Sequence, residues 1–172
     1  MEPRLLYQAS FVFQPVWLLL AVLFAVFLTV AICFAVKVRK SKEDEKKKKT
    51  RIYGGMVIGI IGTVFLLFSM AIVIPDQIGM YQATVVKYQN GEYEIAEGYV
   101  ENFHPMPWGG HDQESFQLDG VEFSYSDYTV QFGYHNARSH GGVITGDGQH
   151  LRIGYTNYGW LGNVIVYIEE LP

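Results

Sequence analysis

The side chains best suited to chemistry in this sequence are its histidines and the acids beside them. All five histidines fall within residues 75–172, and they are His104, His111, His135, His140 and His150. Asp112 and Glu114 are close to them in the sequence. Zinc needs three or four converging ligands, and imidazole or carboxylate groups also act as general acids and bases. The spacing matches no zinc motif, so we expect no metal and no other cofactor.

Motifs of the common catalytic folds are missing from the sequence. It contains no GxSxG, no HExxH, no P-loop and no GxGxxG. We therefore predict that the protein is not an enzyme and has no catalytic residues. A hydrolase or metal-dependent enzyme that uses His104, His111 and Glu114 is the alternative.

Binding is the chemistry that the loops favour. In residues 104–111, HPMPWGGH, the prolines stiffen the chain and the glycines permit close backbone approach. Aromatic side chains in loops offer contact area to ligands. We predict that loops 104–114 and 126–148 contact a small-molecule ligand or a protein partner. The binding residues that we propose are His104, Trp108, His111, Tyr128, Tyr134 and His140 in these loops, and Trp160 outside them.

Two apolar stretches are long enough to cross a membrane. Residues 16–36 form a run of 21 without a charge and residues 52–74 a run of 23. At about 1.5 Å per residue each crosses a hydrocarbon core of about 30 Å. The short connection predicts an antiparallel helical hairpin, and we divide the chain into an N-terminal tail 1–15, a transmembrane hairpin 16–74 with its loop 37–51, and a soluble domain 75–172.

Small residues recur at every fourth position in both spans. The stripes are Ala21, Ala25, Thr29 and Cys33 in the first span and Gly55, Gly59 and Thr63 in the second. Small residues let helix backbones approach closely in lipid. We expect the stripes to pack against each other within one hairpin, with contact to a second copy of the chain, a homo-oligomer, as the alternative.

The loop 37–51 sets the orientation. It holds nine of the thirteen basic residues against three acids, a net charge of +6. Lys and Arg in short loops stay in the cytoplasm, and moving this charge across about 100 mV would cost about 14 kcal/mol. We predict a bacterial cytoplasmic (inner) membrane protein with both termini outside, in which lipid headgroups contact Lys46, Lys47, Lys48, Lys49 and Arg51.

The domain 75–172 is acidic and rich in β-forming residues. It contains thirteen acidic residues and only three basic ones, Lys87, Arg138 and Arg152, which gives a net charge of −10. This charge repels nucleic acid. Sixteen aromatic residues and fourteen glycines are typical of an all-β domain. Alternation and turn pairs predict strands at 81–88, 92–103, 114–118, 121–125, 149–155 and 163–169.

Turn residues connect these strands. Asn90-Gly91 and Asp119-Gly120 are the pairs that favour two-residue hairpin turns, and Gly98 predicts a bulge or a bend. Residues 126–148 are expected to be irregular. Five or six short strands that must close their edges predict a small OB-like barrel, with a sandwich as the alternative.

Part of this domain resembles a known kind of protein. The run EGYVENFHPMPWGGHDQESFQLDGVEFSYSDY, with HGG at residues 140–142 and LRIGY at 151–155, is similar to a small β domain of uncharacterised bacterial membrane proteins. In architecture alone, two helices followed by a small barrel resemble the two-transmembrane β-barrel effectors of antiphage signalling. That resemblance implies a barrel that senses cyclic oligonucleotides.

Two functions follow as hypotheses. The first is a membrane-anchored, non-enzymatic binding or scaffold protein that displays a small extracytoplasmic β-barrel to a partner or ligand. The second is a self-assembling two-transmembrane effector whose barrel senses a small molecule and whose hairpins perturb the membrane. The side of the membrane on which the domain lies separates the two.

Overall fold

The chain divides into a helical unit and a β unit. The computed structural model describes residues 2–11, 15–40 and 46–172. The helical unit is Phe13–Asp76, and the β unit joins Met1–Val12 to Gln77–Pro172. Residues 41–45 and the side chains of Lys46, Lys47, Lys48, Lys49 and Arg51 lie outside the described part, so their contact with lipid remains a prediction.

Two helices account for the apolar stretches. Helix α1 is Pro15–Lys40 and helix α2 is Lys46–Tyr81. Both are long and apolar enough to cross a membrane, as the sequence predicted. Helix α2 continues past the predicted end of the span at residue 74, through Pro75.

Glycines of α2 bring the two helices together. A Cβ atom added to Gly55 would lie 2.5 Å from Phe34 Cε1, and one added to Gly59 would lie 2.7 Å from the backbone nitrogen of Ala31. Further along α2, a Cβ on Gly62 would lie 2.2 Å from the ring of Phe27. The contacts run in opposite directions along the two helices, so the helices are antiparallel and pack closely.

The small-residue stripe of α1 faces elsewhere. Ala21, Ala25 and Thr29 are exposed, and the Thr29 hydroxyl donates to the Ala25 carbonyl of its own helix at 2.7 Å. On α2, the half-buried Thr63 donates to the Gly59 carbonyl at 2.8 Å. The two stripes therefore do not pack on each other as expected: the glycines of α2 meet Phe27, Ala31 and Phe34 of α1.

The described residues of the β unit form seven strands in two antiparallel sheets. One sheet has the order β1-β7-β6-β2 and the other β3-β4-β5. Within the described residues the sheets are not closed into a barrel, so the predicted OB-like barrel is not confirmed. The strands are β1 (Arg4–Gln8), β2 (Glu94–Tyr99), β3 (Glu101–His104), β4 (Glu114–Leu118), β5 (Val121–Tyr125), β6 (His150–Tyr158) and β7 (Gly162–Glu170).

A shared core joins the two sheets. Phe116 and Phe123, neighbours across β4 and β5, have ring centroids 5.2 Å apart. Phe123 meets Tyr155 of the other sheet edge-on at 5.3 Å. Burial of these rings against aliphatic side chains of β6 and β7 provides the main hydrophobic stabilisation of the unit.

The prediction of a strand at 81–88 is wrong. The chain leaves α2 directly into a π-helical segment, Gln82–Val86, and a final turn α3 (Lys87–Asn90). This segment packs on the four-stranded sheet, where Met80 and Val85 are fully buried in a second apolar cluster with Ala9, Phe132 and Val166. The alternation of Tyr81, Ala83 and Val85 is typical of a strand. In the structure these residues are helical and pack on the sheet.

Asn90-Gly91 ends a helix instead of turning a hairpin. Gly91 adopts φ +75°, its N–H donates to Tyr88 O at 3.1 Å, and the N–H of Glu92 donates to Lys87 O at 2.8 Å. These two bonds are the Schellman motif, in which glycine takes the left-handed position after a helix. An Asn-Gly pair suits both structures because each requires positive φ.

The long strand predicted at 92–103 is divided between the sheets. Gly98 pairs regularly with Leu151, so the bulge predicted there is wrong. The chain passes from one sheet to the other at Val100. This residue is buried, and its N–H donates to Gln149 O at 2.9 Å. Asn102, at φ +54°, lies within β3, where the pairing with β4 shifts register between Glu101 and His104.

The N-terminal tail contains a strand that the sequence did not predict. Strand β1 forms the edge of the four-stranded sheet and pairs with β7, the last strand of the chain. Tyr7 of β1 meets Tyr134 edge-on at 5.1 Å and donates to Phe132 O at 3.3 Å. Strand β1 of the tail is therefore part of the β unit.

Candidate functional site

Loops at one end of the β3-β4-β5 sheet form the candidate site. His104 ends β3 and Glu114 begins β4, so the intervening loop returns to the same sheet edge. Residues that follow β5 lie beside this loop. A cleft of about 550 Å³ opens between them, lined by Gly109, His111, Asp112, Gln113, Ser126, Tyr128 and Thr129.

An exposed hydrogen bond between an imidazole and a carboxylate closes the first loop. His104 Nε2 donates to Asp112 Oδ2 at 3.1 Å, and the N–H of Gln113 donates to Asp112 Oδ1 at 2.8 Å. These hydrogen bonds hold the pKa of the Asp112 carboxyl below its usual range. The bond from the His104 imidazole has the largest effect, and the bond from the Gln113 N–H follows. The cleft therefore presents an ionised carboxylate at neutral pH.

Backbone geometry places His111 at the cleft. Gly110 donates to Pro107 O at 2.9 Å, and Gly110 and His111 adopt φ +72° and +70°. A Cβ atom on Gly110 would lie 2.5 Å from the ring of Tyr128, so only glycine fits beneath that ring. For His111 the left-handed conformation costs on the order of 1 kcal/mol, which the surrounding contacts must offset.

Met106 joins the two loops below the cleft. Its side chain is buried, and the Ser126 hydroxyl points to its sulfur at 3.3 Å. Ser126 Oγ also accepts from the N–H of Tyr128 at 3.3 Å, which fixes the start of the second loop. The wall that carries Tyr128 is thus built on buried contacts.

A second group of side chains adjoins the site. His140 Nδ1 donates to Asp127 Oδ2, and the N–H of Ala137 donates to Asp127 Oδ1. Trp108 lies against the His140 ring, with centroids 4.7 Å apart and planes inclined by 48°. Trp108 is 74% exposed, so its other face is open to a ligand.

A buried carboxylate supports this arrangement from behind. Glu114 is fully buried and its oxygens accept the Tyr125 hydroxyl at 2.7 Å and the backbone N–H of Arg138 at 2.9 Å. Burial, followed by the bond to Glu114, raises the pKa of Tyr125. Glu114 therefore ties the 3₁₀ turn Arg138–His140 to the sheet, and it does not pair with the exposed Asp112.

Two predicted site residues lie elsewhere. Tyr134 is buried in the core, accepts the N–H of Val143 at 2.6 Å, and has its pKa raised to about 12 by burial. Trp160 lies in the turn Gly159–Leu161 between β6 and β7 and does not line the cleft. The structure thus gathers His104, Trp108, His111, Tyr128 and His140 at one end of the three-stranded sheet.

The arrangement contains no cluster of metal ligands in the part of the chain that the structure describes. There, no three side chains of His, Cys, Asp or Glu come close enough together to hold a metal ion. The chain matches no protein-family model, no curated protein and no solved structure.

Sequence reasoning missed Ser126 and Asp127. Both follow β5 directly. A polar pair at the end of a clear strand indicates the start of a loop, and this loop lies beside the connection between β3 and β4. Gln113 was also missed, although it stands between the acids Asp112 and Glu114. Its amide oxygen accepts the Ser124 hydroxyl at 2.5 Å, which orients the carboxamide at the cleft.

Removal of the buried carboxylate should loosen the site. In Glu114→Ala the Tyr125 hydroxyl and the Arg138 N–H lose their acceptor, at a cost of about 2 to 4 kcal/mol in the free energy of unfolding. Glu114→Gln should cost less because one oxygen remains. The measurement is the denaturant midpoint from near-ultraviolet circular dichroism, with amide hydrogen exchange at residues 137–142.

Glu122→Ala is the matched control, because Glu122 is an exposed carboxylate on the same sheet. Its expected effect is within about 0.5 kcal/mol. Equal midpoints and equal exchange for the two alanine variants would show that Glu114 does not hold the turn.

Proposed function

We propose that the protein is a membrane-anchored, non-enzymatic binding module whose β unit recognises a ligand at the cleft beside Tyr128. The observation that carries this proposal is the combination of an exposed aromatic ring and oriented polar groups on loops fixed from below. Tyr128 is 67% exposed, yet it packs over Gly110 and follows the buried Ser126. Ligand sites commonly combine apolar contact area with a few placed polar groups.

The lining favours a neutral, hydroxyl-rich ligand. The Asp112 carboxylate accepts hydrogen bonds, and Gln113 and Thr129 can both donate and accept. The Tyr128 ring offers a flat apolar face. A saccharide matches both features of the cleft. Its adjacent hydroxyl groups can hydrogen-bond to the polar side chains, and its face of C–H bonds can stack on the Tyr128 ring.

Charge argues against an anionic ligand. Residues 75–172 carry a net charge of −10, and Asp112 adds its negative charge at the cleft itself. An anionic ligand such as a cyclic nucleotide would be repelled as it approached. The cleft is therefore better suited to neutral envelope glycans than to nucleotide signals.

The apolar helices provide the anchor in this proposal. Helices α1 and α2 would span the bacterial cytoplasmic membrane, and the basic loop between them would remain in the cytoplasm. The β unit, which contains both chain ends, would then face the exterior. Such a module would hold its ligand or a partner protein at the membrane surface.

A self-assembling effector is the second candidate. The observation that favours it is the exposed stripe of Ala21, Ala25, Thr29 and Cys33 on α1, which the glycines of α2 leave uncovered. Small residues on a membrane helix allow close packing with another helix. In this candidate a second copy covers the stripe and the β unit lies in the cytoplasm.

Saccharide binding tests the role of the cleft. The full chain in detergent is titrated with a panel of neutral oligosaccharides of hexose and N-acetylhexosamine units, followed by saturation-transfer nuclear magnetic resonance. Tyr128→Ala should weaken binding by about tenfold, because the ring supplies the stacking surface. Tyr99→Ala is the control, since Tyr99 is 59% exposed and lies outside the cleft.

Absence of binding to every oligosaccharide of the panel would contradict the saccharide assignment. An equal loss of binding in Tyr99→Ala and Tyr128→Ala would contradict the placement of the site.

Orientation tests the membrane part of the proposal. A fluorescent protein that matures only in the cytoplasm is fused after Pro172 in one chain and inserted into the loop 37–51 in another. We expect fluorescence from the loop insertion and none from the C-terminal fusion. Fluorescence from the C-terminal fusion would overturn extracytoplasmic display and favour the effector.

A further inference from the structure

Exposed aromatic side chains collect at a second place on the β unit, away from the cleft. Phe11 is 64% exposed and Trp160 is 68% exposed. Both belong to segments that border the second apolar cluster. With Ile78, Tyr81 and Leu161 they form a surface that we call the aromatic rim.

Direct contacts join one side of the aromatic rim. Phe11 meets Tyr81 edge-on, with ring centroids 5.7 Å apart, and stacks on Phe132 at 6.4 Å. Tyr81 in turn meets Phe132 at 5.5 Å. Phe11 is thus held in place by rings although most of its surface is open.

The β6–β7 turn forms the other side. Tyr158 and Leu161, which flank Trp160, pack against the cluster that contains Met80 and Phe132. A Cβ atom added to Gly79 would lie 3.3 Å from the Tyr158 hydroxyl. Trp160 therefore projects from a turn that is fixed beside residues 79–81.

Both connections of the β unit to the apolar helices leave from this place. The N-terminal part of the unit ends at Val12, next to Phe11, and its second part begins at Gln77, next to Ile78. The chain therefore passes to and from the candidate membrane spans at the aromatic rim.

We infer that the aromatic rim binds the interfacial region of a zwitterionic phospholipid bilayer, the same bilayer that the proposed spans cross. The inference rests on the proposed membrane anchoring and adds a lipid contact of the β unit itself. Trp and Tyr are enriched at this depth because their rings are apolar while the indole N–H or phenol O–H remains hydrated. Phe11, Ile78 and Leu161 supply the apolar area.

The charge of the unit specifies the lipid. With ten more acids than bases in residues 75–172, the unit gains nothing from anionic headgroups. Contact must come from burial of the aromatic rim, assisted by the two covalent connections. Anionic lipid should therefore not strengthen the binding.

Three tryptophans in the chain allow a test with internal controls: Trp17 at the start of the first span, Trp108 beside the cleft and Trp160 in the rim. Three full-length variants each keep one tryptophan, with Phe at the other two positions. They are reconstituted into phosphatidylcholine vesicles that carry a spin label either near the headgroup or near the end of the acyl chain. Quenching of tryptophan fluorescence is measured for each.

We expect shallow labels to reduce Trp160 fluorescence about twofold and deep labels to reduce it less, as for a side chain at the interface. Trp17 should be quenched and Trp108 should not. Replacement of about a third of the lipid by phosphatidylglycerol should not increase Trp160 quenching, because the unit is acidic.

Quenching of Trp17 without quenching of Trp160 would overturn the lipid contact and leave the membrane anchor intact. No quenching of Trp17 would overturn the anchor and the lipid contact together. Equal quenching of Trp160 and Trp108 would show that the contact is not specific to the rim. Quenching of Trp160 that needs phosphatidylglycerol would overturn the zwitterionic assignment.

Discussion

Packing of residues 77–90 on the outer face of the four-stranded sheet is the interaction on which the rest of the β unit depends. Met80 and Val85 are fully buried there, against Val166 of β7 and Phe132. Strand β7 is therefore covered on both faces, which is the physical reason for its uninterrupted apolar sequence. The same cluster receives Ala9, whose N–H donates to Val166 O at 2.7 Å. One contact region thus joins the start, the middle and the end of the chain, and it places the aromatic rim at the connections to the helices.

The parts of the fold that the sequence predicted are those determined by local signals. Strands β4 and β5 have the predicted bounds because alternating apolar residues flank the turn Asp119-Gly120, which the structure also shows. The segment at 81–88 was mispredicted because its alternation and the Asn-Gly pair suit a helix end as well as a hairpin. Strand β1 gave no local signal: five residues at an edge acquire their structure by pairing with β7, more than 150 positions along the chain.

The candidate site shows the same division between local and tertiary information. Two of the aromatic and histidine residues that the sequence proposed, His111 and Tyr128, line the cleft. Tyr134 has the same residue type and a similar position in a loop, but the core buries it. The roles of Glu114 and Asp127 depend on backbone N–H groups of residues 137 and 138, which lie far away in sequence. Only the tertiary fold shows which polar residues support the loops and which face a ligand.

Cysteine accessibility across residues 80–89 tests most directly whether the chain packs here as a helix. Single cysteines replace Gln82, Thr84, Val85 and Lys87 in a full-length Cys33→Ser background and are reacted with a water-soluble maleimide. Thr84 and Val85 are adjacent and both buried, whereas Gln82 and Lys87 are exposed. The account predicts protection at 84 and 85 together and fast labelling at 82 and 87. Protection at only one of the two adjacent positions, the alternation of a strand, would contradict it.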